Sequence, residues 1–131
     1  MTTTTELLTR YYALFTAANP SAELLLGVTA PDWRNFGSPG EDADAAAFAG
    51  NVAALRAMVP DLKWEVTQII DAGNTITVIG QGSGTPAGSL FGTPTSGSFT
   101  IISIDVHEIA DGLIQRTRHI EDWASALRQA V

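Results

Sequence analysis

Pro60 divides this sequence into two kinds of hydrophobic pattern, and that change of period constrains the fold more than any single motif. Before it, apolar residues recur at helical spacing. In "TTELLTRYYALFTAAN", Leu8, Tyr11, Tyr12 and Phe15 share a face, and a threonine before Glu6 provides the first-turn cap. Asn19-Pro20 stops that helix, and "SAELLLG" reads as a short second one ending at Gly27. "APDWRNFGSPG" reads as extended, with Trp33 and Asn35 on the same side. "EDADAAAFAGNVAALRAMVP" is the clearest helix: acids crowd its N-terminus, and Phe48, Val52, Leu55 and Val59 form one stripe. From Asp61 onward the period is two. "LKWEVTQII" and "TITVIGQGSGT" flank the turn "DAGN" as an antiparallel hairpin. "TPAGSLFGTPTSGS" reads as a loop. "FTIISIDVHEI" and "LIQRTRHIEDW" flank "ADG" as a second hairpin, and "ASALRQAV" closes the chain as a helical turn or tail. Helices first and an antiparallel sheet afterwards define an α+β protein. With 131 residues, no repeat and no long linker, a single domain over 1–131 is expected.

Several function classes fall away on composition. A net charge of −7 with no basic run works against a phosphate backbone, so nucleic acid is not an expected partner. The absence of cysteine excludes disulfides, thiolate nucleophiles and Cys-ligated metals. "MTTTTELLTR" lacks the basic start and apolar run of a signal peptide, and no stretch is long enough for a membrane span. The expectation is therefore a cytoplasmic protein without a membrane partner. "GQGSGTPAG" is rich in glycine, but a phosphate-cradling loop leads into a helix, and here more loop follows.

Both histidines, His107 and His119, fall in "IDVHEIADGLIQRTRHIEDW", residues 104–123, with five acids and two arginines. A two-residue Asp-Gly turn would set Ile104 opposite His119. A three-residue loop with Gly112 left-handed would set Ser103 opposite His119 and Asp105 opposite Thr117. The second register is preferred because it gathers Ser103, Asp105, His107, Gln115, Thr117 and His119 on one face. Ile102, Ile104, Val106, Ile114 and Ile120 then share the other with Arg116 and Arg118. Asp105 and His119 become diagonal neighbours, and a carboxylate beside an imidazole prepares a base for work near neutral pH. A solvated polar face explains the same pattern without chemistry. A zinc site would need more than two histidines and an aspartate lacking HxxxH spacing, so no metal is expected.

The ordered set of "VPDLKWEVTQIIDAGNTITVIGQGSGTPAGSLFGTPTSG", the "DG" hairpin and the closing "DW…LRQ" resembles the SnoaL-like polyketide cyclases of the nuclear transport factor 2-like superfamily, over roughly residues 45–129. The resemblance implies a cone: a curved antiparallel sheet wrapped around N-terminal helices, with a deep apolar pocket, often in a homodimer. It turns the hairpin's polar face into a pocket wall and its apolar face into a dimer contact. In the anthracycline cyclases of that family an Asp on the final strand is the acid/base of an aldol closure, assisted by a His on the neighbouring strand and a nearby Asn. The resemblance places His119 at the Asp position, Asp105 at the His position and Asn35 at the Asn, while Ser103 stands where those cyclases carry a Gln. The acid and the imidazole have traded strands.

These readings lead to a cofactor-independent cyclase, isomerase or dehydratase acting on a small, largely apolar carbonyl compound. His119 is the expected acid/base and Asp105 its orienter. Asn35 with Ser103 or Thr117 is expected to bind the oxygen that gains charge, with His107 on the same wall. Trp33, Tyr11, Tyr12, Phe15 and Trp64 are expected to line the pocket. Two alternatives stay open: an epoxide-hydrolase-like enzyme using Asp105 and Glu121, and a non-catalytic dimeric binding module.

Overall fold

A computed structural model describes residues 3–131. Helix α1 (Thr4–Tyr12) starts at a reciprocal cap. The Thr3 side chain accepts from the Glu6 amide and the Glu6 carboxylate accepts from the Thr3 amide, each at 3.1 Å. The chain tightens into 3-10 turns at Ala13–Thr16 and Ala22–Leu25, the second standing where a short helix was expected. Helix α2 (Ala45–Met58) is capped by Asp44, and the expected stripe of Phe48, Val52, Leu55 and Val59 is buried.

Strands β1 (Asn35–Phe36), β2 (Asp42–Ala43), β3 (Lys63–Asp71), β4 (Thr75–Gly84), β7 (Phe99–Ala110) and β8 (Leu113–Glu121) form one sheet in the order β2-β1-β8-β7-β4-β3. All its pairings are antiparallel except β1 with β8. The segment read as a loop contains a small second hairpin, β5 (Ser89–Leu90) with β6 (Thr93–Pro94). Leu90 anchors it in the core, so it is a built element rather than free loop. Helix α3 (Trp123–Ala130), capped by Asp122, turns the expected tail back onto β7. None of the described helices is long and apolar enough to cross a membrane.

The helices cover one face of the sheet. Ile76, Val78, Phe99, Ile101 and Ile114 point into the core there, and Tyr11 packs against Tyr12, Trp33, Phe48 and the His107 ring. The glycine run has a packing cause. A Cβ at Gly82 would stand 2.5 Å from the Trp64 ring and one at Gly84 2.3 Å from Val59, so these positions are bare where side chains press onto the strand.

The last hairpin departs from the expected register. Its turn has two residues, Asp111 and Gly112, both with positive φ, and Ala110 pairs with Leu113. A bulge at Gln115 then displaces β8, so that His107 faces Thr117, Asp105 faces His119 and Ser103 faces Glu121. Turn and bulge together restore the expected parity but place His119 two residues further along β7. Ser103, Asp105, His107 and Thr117 are accordingly all buried on the inner face. Ile114 lies before the bulge and also points inward at 0% exposure, which corrects its assignment to the outer face. That outer face keeps Ile102, Ile104 and Ile120, all exposed, while Arg116 and Arg118 reach Glu108 of their own chain at 3.6 and 3.7 Å.

Candidate active site

Polar groups on and beside the inner face of β8 form two adjoining systems, one continuing onto β7 and the other onto β1, β2 and α2. The first is a dry chain of hydrogen bonds. The Trp33 indole, which can only donate, reaches Thr117 Oγ1 at 3.0 Å. Thr117 Oγ1 lies 2.8 Å from His107 Nδ1, and His107 Nε2 lies 2.9 Å from the Tyr12 hydroxyl. The Tyr12 hydroxyl donates to Asp105 Oδ2 at 2.6 Å. With the carboxylate ionised, Tyr12's one hydrogen belongs to Asp105. His107 must then carry its proton on Nε2 and accept from Thr117 on Nδ1, so every group has a partner. Burial pushes the Asp105 carboxyl up to about 7 despite the opposing Tyr12 bond, with the Glu121 charge adding to the rise. Burial also pushes His107 down to about 4 and raises Tyr12 well above the ordinary phenol range.

The second system faces a cavity of about 540 Å³. Its polar wall is Asn35, Glu41, Asp42, Asn51, His119 and Glu121, and Phe15, Phe48, Phe91 and Trp123 supply aromatic surface. Strand β1 brings in Asn35 by pairing it with Thr117, and β8 contributes His119 and Glu121 two residues apart. The Trp123 indole donates to Glu121 Oε2 at 2.7 Å and fixes that carboxylate. Glu121 Oε1 stands 3.8 Å from His119 Nε2, whereas His119 Nδ1 has no partner. Asn35 donates from Nδ2 to the Tyr11 hydroxyl at 3.2 Å and leaves Oδ1 without a partner.

Of the residues singled out in the sequence, Phe15, Asn35 and His119 line this cavity. Tyr12, Trp33, Asp105, His107 and Thr117 form the buried chain beside it. Ser103 and Trp64 lie on either side of Gly80. Asp105 and His119 are cross-strand partners, yet the carboxylate accepts its hydrogen bond from Tyr12, and the acid that stands 3.8 Å from the imidazole is Glu121. The expected diagonal pairing required the three-residue loop, and the bulge at Gln115 removes it. Sequence reasoning gave Glu121 only a secondary part and passed over Trp123, Phe48 and Phe91. The Glu-Asp-Trp run after the second histidine was the available signal for the first two. Among the described residues no three His, Asp or Glu side chains are grouped so as to hold a metal ion.

A curved sheet closed by helices over a pocket defines the class as a cone of the nuclear transport factor 2-like type. The chain belongs to the SnoaL-like polyketide cyclase family, whose model matches residues 5–130. Among solved structures, IdmH from Streptomyces antibioticus, a candidate polyketide cyclase, is similar at 21% identity and a TM-score of 0.80, over 95% of this chain and 96% of its own. TsrD from Streptomyces laurentii is similar at 20% identity and a TM-score of 0.80, over 95% and 92%. A protein of ketosteroid isomerase-like fold from Catenulispora acidiphila, in complex with trimethylamine, is similar at 21% identity and a TM-score of 0.79, over 98% and 94%. At these identities the likeness establishes the fold. No protein with a curated description matches the sequence.

Proposed function

We propose that the cavity carries out cofactor-independent acid–base chemistry on a small, largely apolar carbonyl compound, with intramolecular aldol closure favoured. The observation that carries this reading is His119, an imidazole that lines the cavity with the Glu121 carboxylate 3.8 Å from its Nε2. A carboxylate there orients the ring and stabilises the imidazolium that forms when it takes a proton. Glu121, held by Trp123, thus takes the orienting part that the sequence suggested for Asp105. In the aldol case His119 removes a proton from carbon next to a carbonyl, and the resulting enolate carbon attacks a second carbonyl of the same molecule. One carbon–carbon bond forms, and the new alkoxide recovers the proton from the imidazolium. Family membership supports the reaction type. The water-activating alternative is not favoured, because Asp105 does not line the cavity.

Heptane-2,6-dione, which closes to a six-membered aldol product, tests this reading by NMR in deuterated buffer. The protein is expected to accelerate both deuterium exchange next to the carbonyls and ring closure, and His119→Ala to abolish the acceleration. No acceleration by the unaltered protein would favour the binding-module reading instead. We also propose a homodimer, formed through the exposed Ile102, Ile104 and Ile120 face. Sedimentation is expected to show a dimer at micromolar concentration, and a monomer would defeat the proposal.

A further inference from the structure

Two hairpins of the chain turn through two residues of positive φ, and they fill the first of those places differently. The β7–β8 turn has Asp111 at 55° followed by Gly112 at 72°, and the β5–β6 turn has Phe91 at 48° followed by Gly92 at 81°. Turns of this form prefer Asn, Asp or Gly at the first place, because a bulky side chain crowds the backbone in the left-handed region. Asp111 obeys that preference and Phe91 breaks it. The Phe91 ring is also 51% exposed, so burial offsets only part of the strain. The hairpin is anchored by other groups. Leu90 is fully buried, the Thr95 amide donates to the Gly88 carbonyl at 3.0 Å, and the Ser96 and Gly97 amides donate to the Ala130 carbonyl at 2.8 Å. A fixed base thus presents a strained, half-exposed aromatic ring.

That ring borders the cavity at its solvent rim. Its centroid lies 5.2 Å from that of Trp123 at an interplanar angle of 79°, so the two rings form a corner in the cavity lining. Trp123 is fixed there by its bond to Glu121 and by the Phe99 ring, 5.6 Å away. A flat ring entering such a corner can stack on one ring and meet the edge of the other, the two arrangements that aromatic pairs prefer. Backbone strain persists in folded proteins chiefly where a site uses it, as in a ligand clamp. We propose that Phe91 is a specificity-determining residue: with Trp123 it seats a flat, apolar ring of the ligand at the cavity rim, and the strained turn is kept for that contact. The inference goes beyond the acid–base reading, because it concerns which compound is held and not what His119 does to it.

Isothermal titration with acetophenone and with 1-cyclohexylethanone, alike in size and carbonyl group but flat against puckered, tests this without needing turnover. Phe91→Asn suits the turn better than the native residue, so its urea unfolding midpoint is expected to hold or rise. The same substitution is expected to weaken acetophenone about fivefold and 1-cyclohexylethanone by less than about twofold. Phe91→Tyr keeps the ring and is expected to keep the acetophenone affinity within about twofold. A lowered midpoint in Phe91→Asn would assign the ring to the fold and overturn the proposal. So would unchanged acetophenone affinity in that variant, equal weakening of both ketones, a fivefold loss in Phe91→Tyr, or no acetophenone binding to the unaltered protein at millimolar concentration. Neither ketone has a second carbonyl to close onto, so these affinities are read apart from heptane-2,6-dione turnover. Ketone binding that ignores Phe91, with dione turnover intact in the unaltered protein, removes only this inference. Ring-selective binding by a protein that never accelerates the dione removes only the acid–base reading.

Discussion

The buried chain from Trp33 to Asp105 and the cavity wall from Asn35 to Glu121 meet on the inner face of β8, yet they are finished differently. In the chain, indole, hydroxyl, imidazole, phenol and carboxylate each meet a partner at 2.6–3.0 Å. In the wall, the buried Asn35 Oδ1 and His119 Nδ1 meet none among the described residues. Buried polar atoms are almost always paired in folded proteins. A fully paired network therefore reads as structure that fixes strand and helix positions, whereas the cavity wall is not held by such a network. The residue types alone would not separate the two systems, because each contains a histidine and at least one carboxylate.

The largest effect should come from exchanging these roles by mutation. His119→Ala is expected to lower turnover of heptane-2,6-dione by about 100-fold or more while leaving the unfolding midpoint within the usual range of a substitution at a partly exposed side chain. Kinetics and denaturation measured on one preparation check both halves. A lowered midpoint with kcat preserved would place His119 with the structural chain. Tyr12→Phe should do the opposite. It deprives Asp105 and His107 of their shared partner at once, and each buried group left unpaired costs about 1–3 kcal/mol. Turnover at a temperature where the variant is folded should stay within a few-fold of the parent. A stability loss below about 1 kcal/mol would show that the chain is not the continuous network described.

The contrast between the two regions also explains how much of the molecule was legible in advance. Periodicity located α1, α2, β4, β7 and β8, because each buries one face against the core and the pattern of burial is the pattern of sequence, while β3 keeps the period of two although nearly all of it is exposed. Parity of the last hairpin was legible for the same reason. Its register was not: "ADG" admits more than one turn, and the bulge at Gln115 leaves no mark in hydrophobicity. The small β5–β6 hairpin was hidden by a composition of glycine, proline, serine and threonine that reads as loop. The site was half legible. His119 and Asn35 reach the cavity as expected, but which acid serves the imidazole depended on the bulge. The partner that joins His107 to Asp105 comes from Tyr12, more than ninety residues away on α1, and no local pattern couples the two.

The smallest expected effect concerns pH and divides the buried chain from within. The Asp105 carboxyl, pushed up to about 7, titrates near 3.8 when unfolded. Between those values the folded protein keeps a proton that the unfolded chain has released. The stability linked to Asp105 is therefore full below about pH 4 and is lost as pH rises toward 7. His107, pushed down to about 4 from 6.5, behaves in the opposite sense. Between those values the unfolded chain takes a proton that the folded protein refuses, so its contribution is full above about 6.5 and is lost as pH falls toward 4. Each group contributes a slope of at most about 1.4 kcal/mol per pH unit, and the signs are opposed. From about pH 4.5 to 6 the pair should nearly cancel. In Asp105→Asn the amide oxygen can still accept from Tyr12, so the fold should persist with only the His107 slope exposed, and stability should rise with pH relative to the parent. His107→Gln should leave the Asp105 slope, and stability should fall with pH relative to the parent. Urea denaturation at pH 4.5, 5.25 and 6 measures all three proteins. Parallel curves for the parent and Asp105→Asn would mean that the Asp105 carboxyl titrates as an ordinary solvated acid, and the dry chain would then have to be wet at that end.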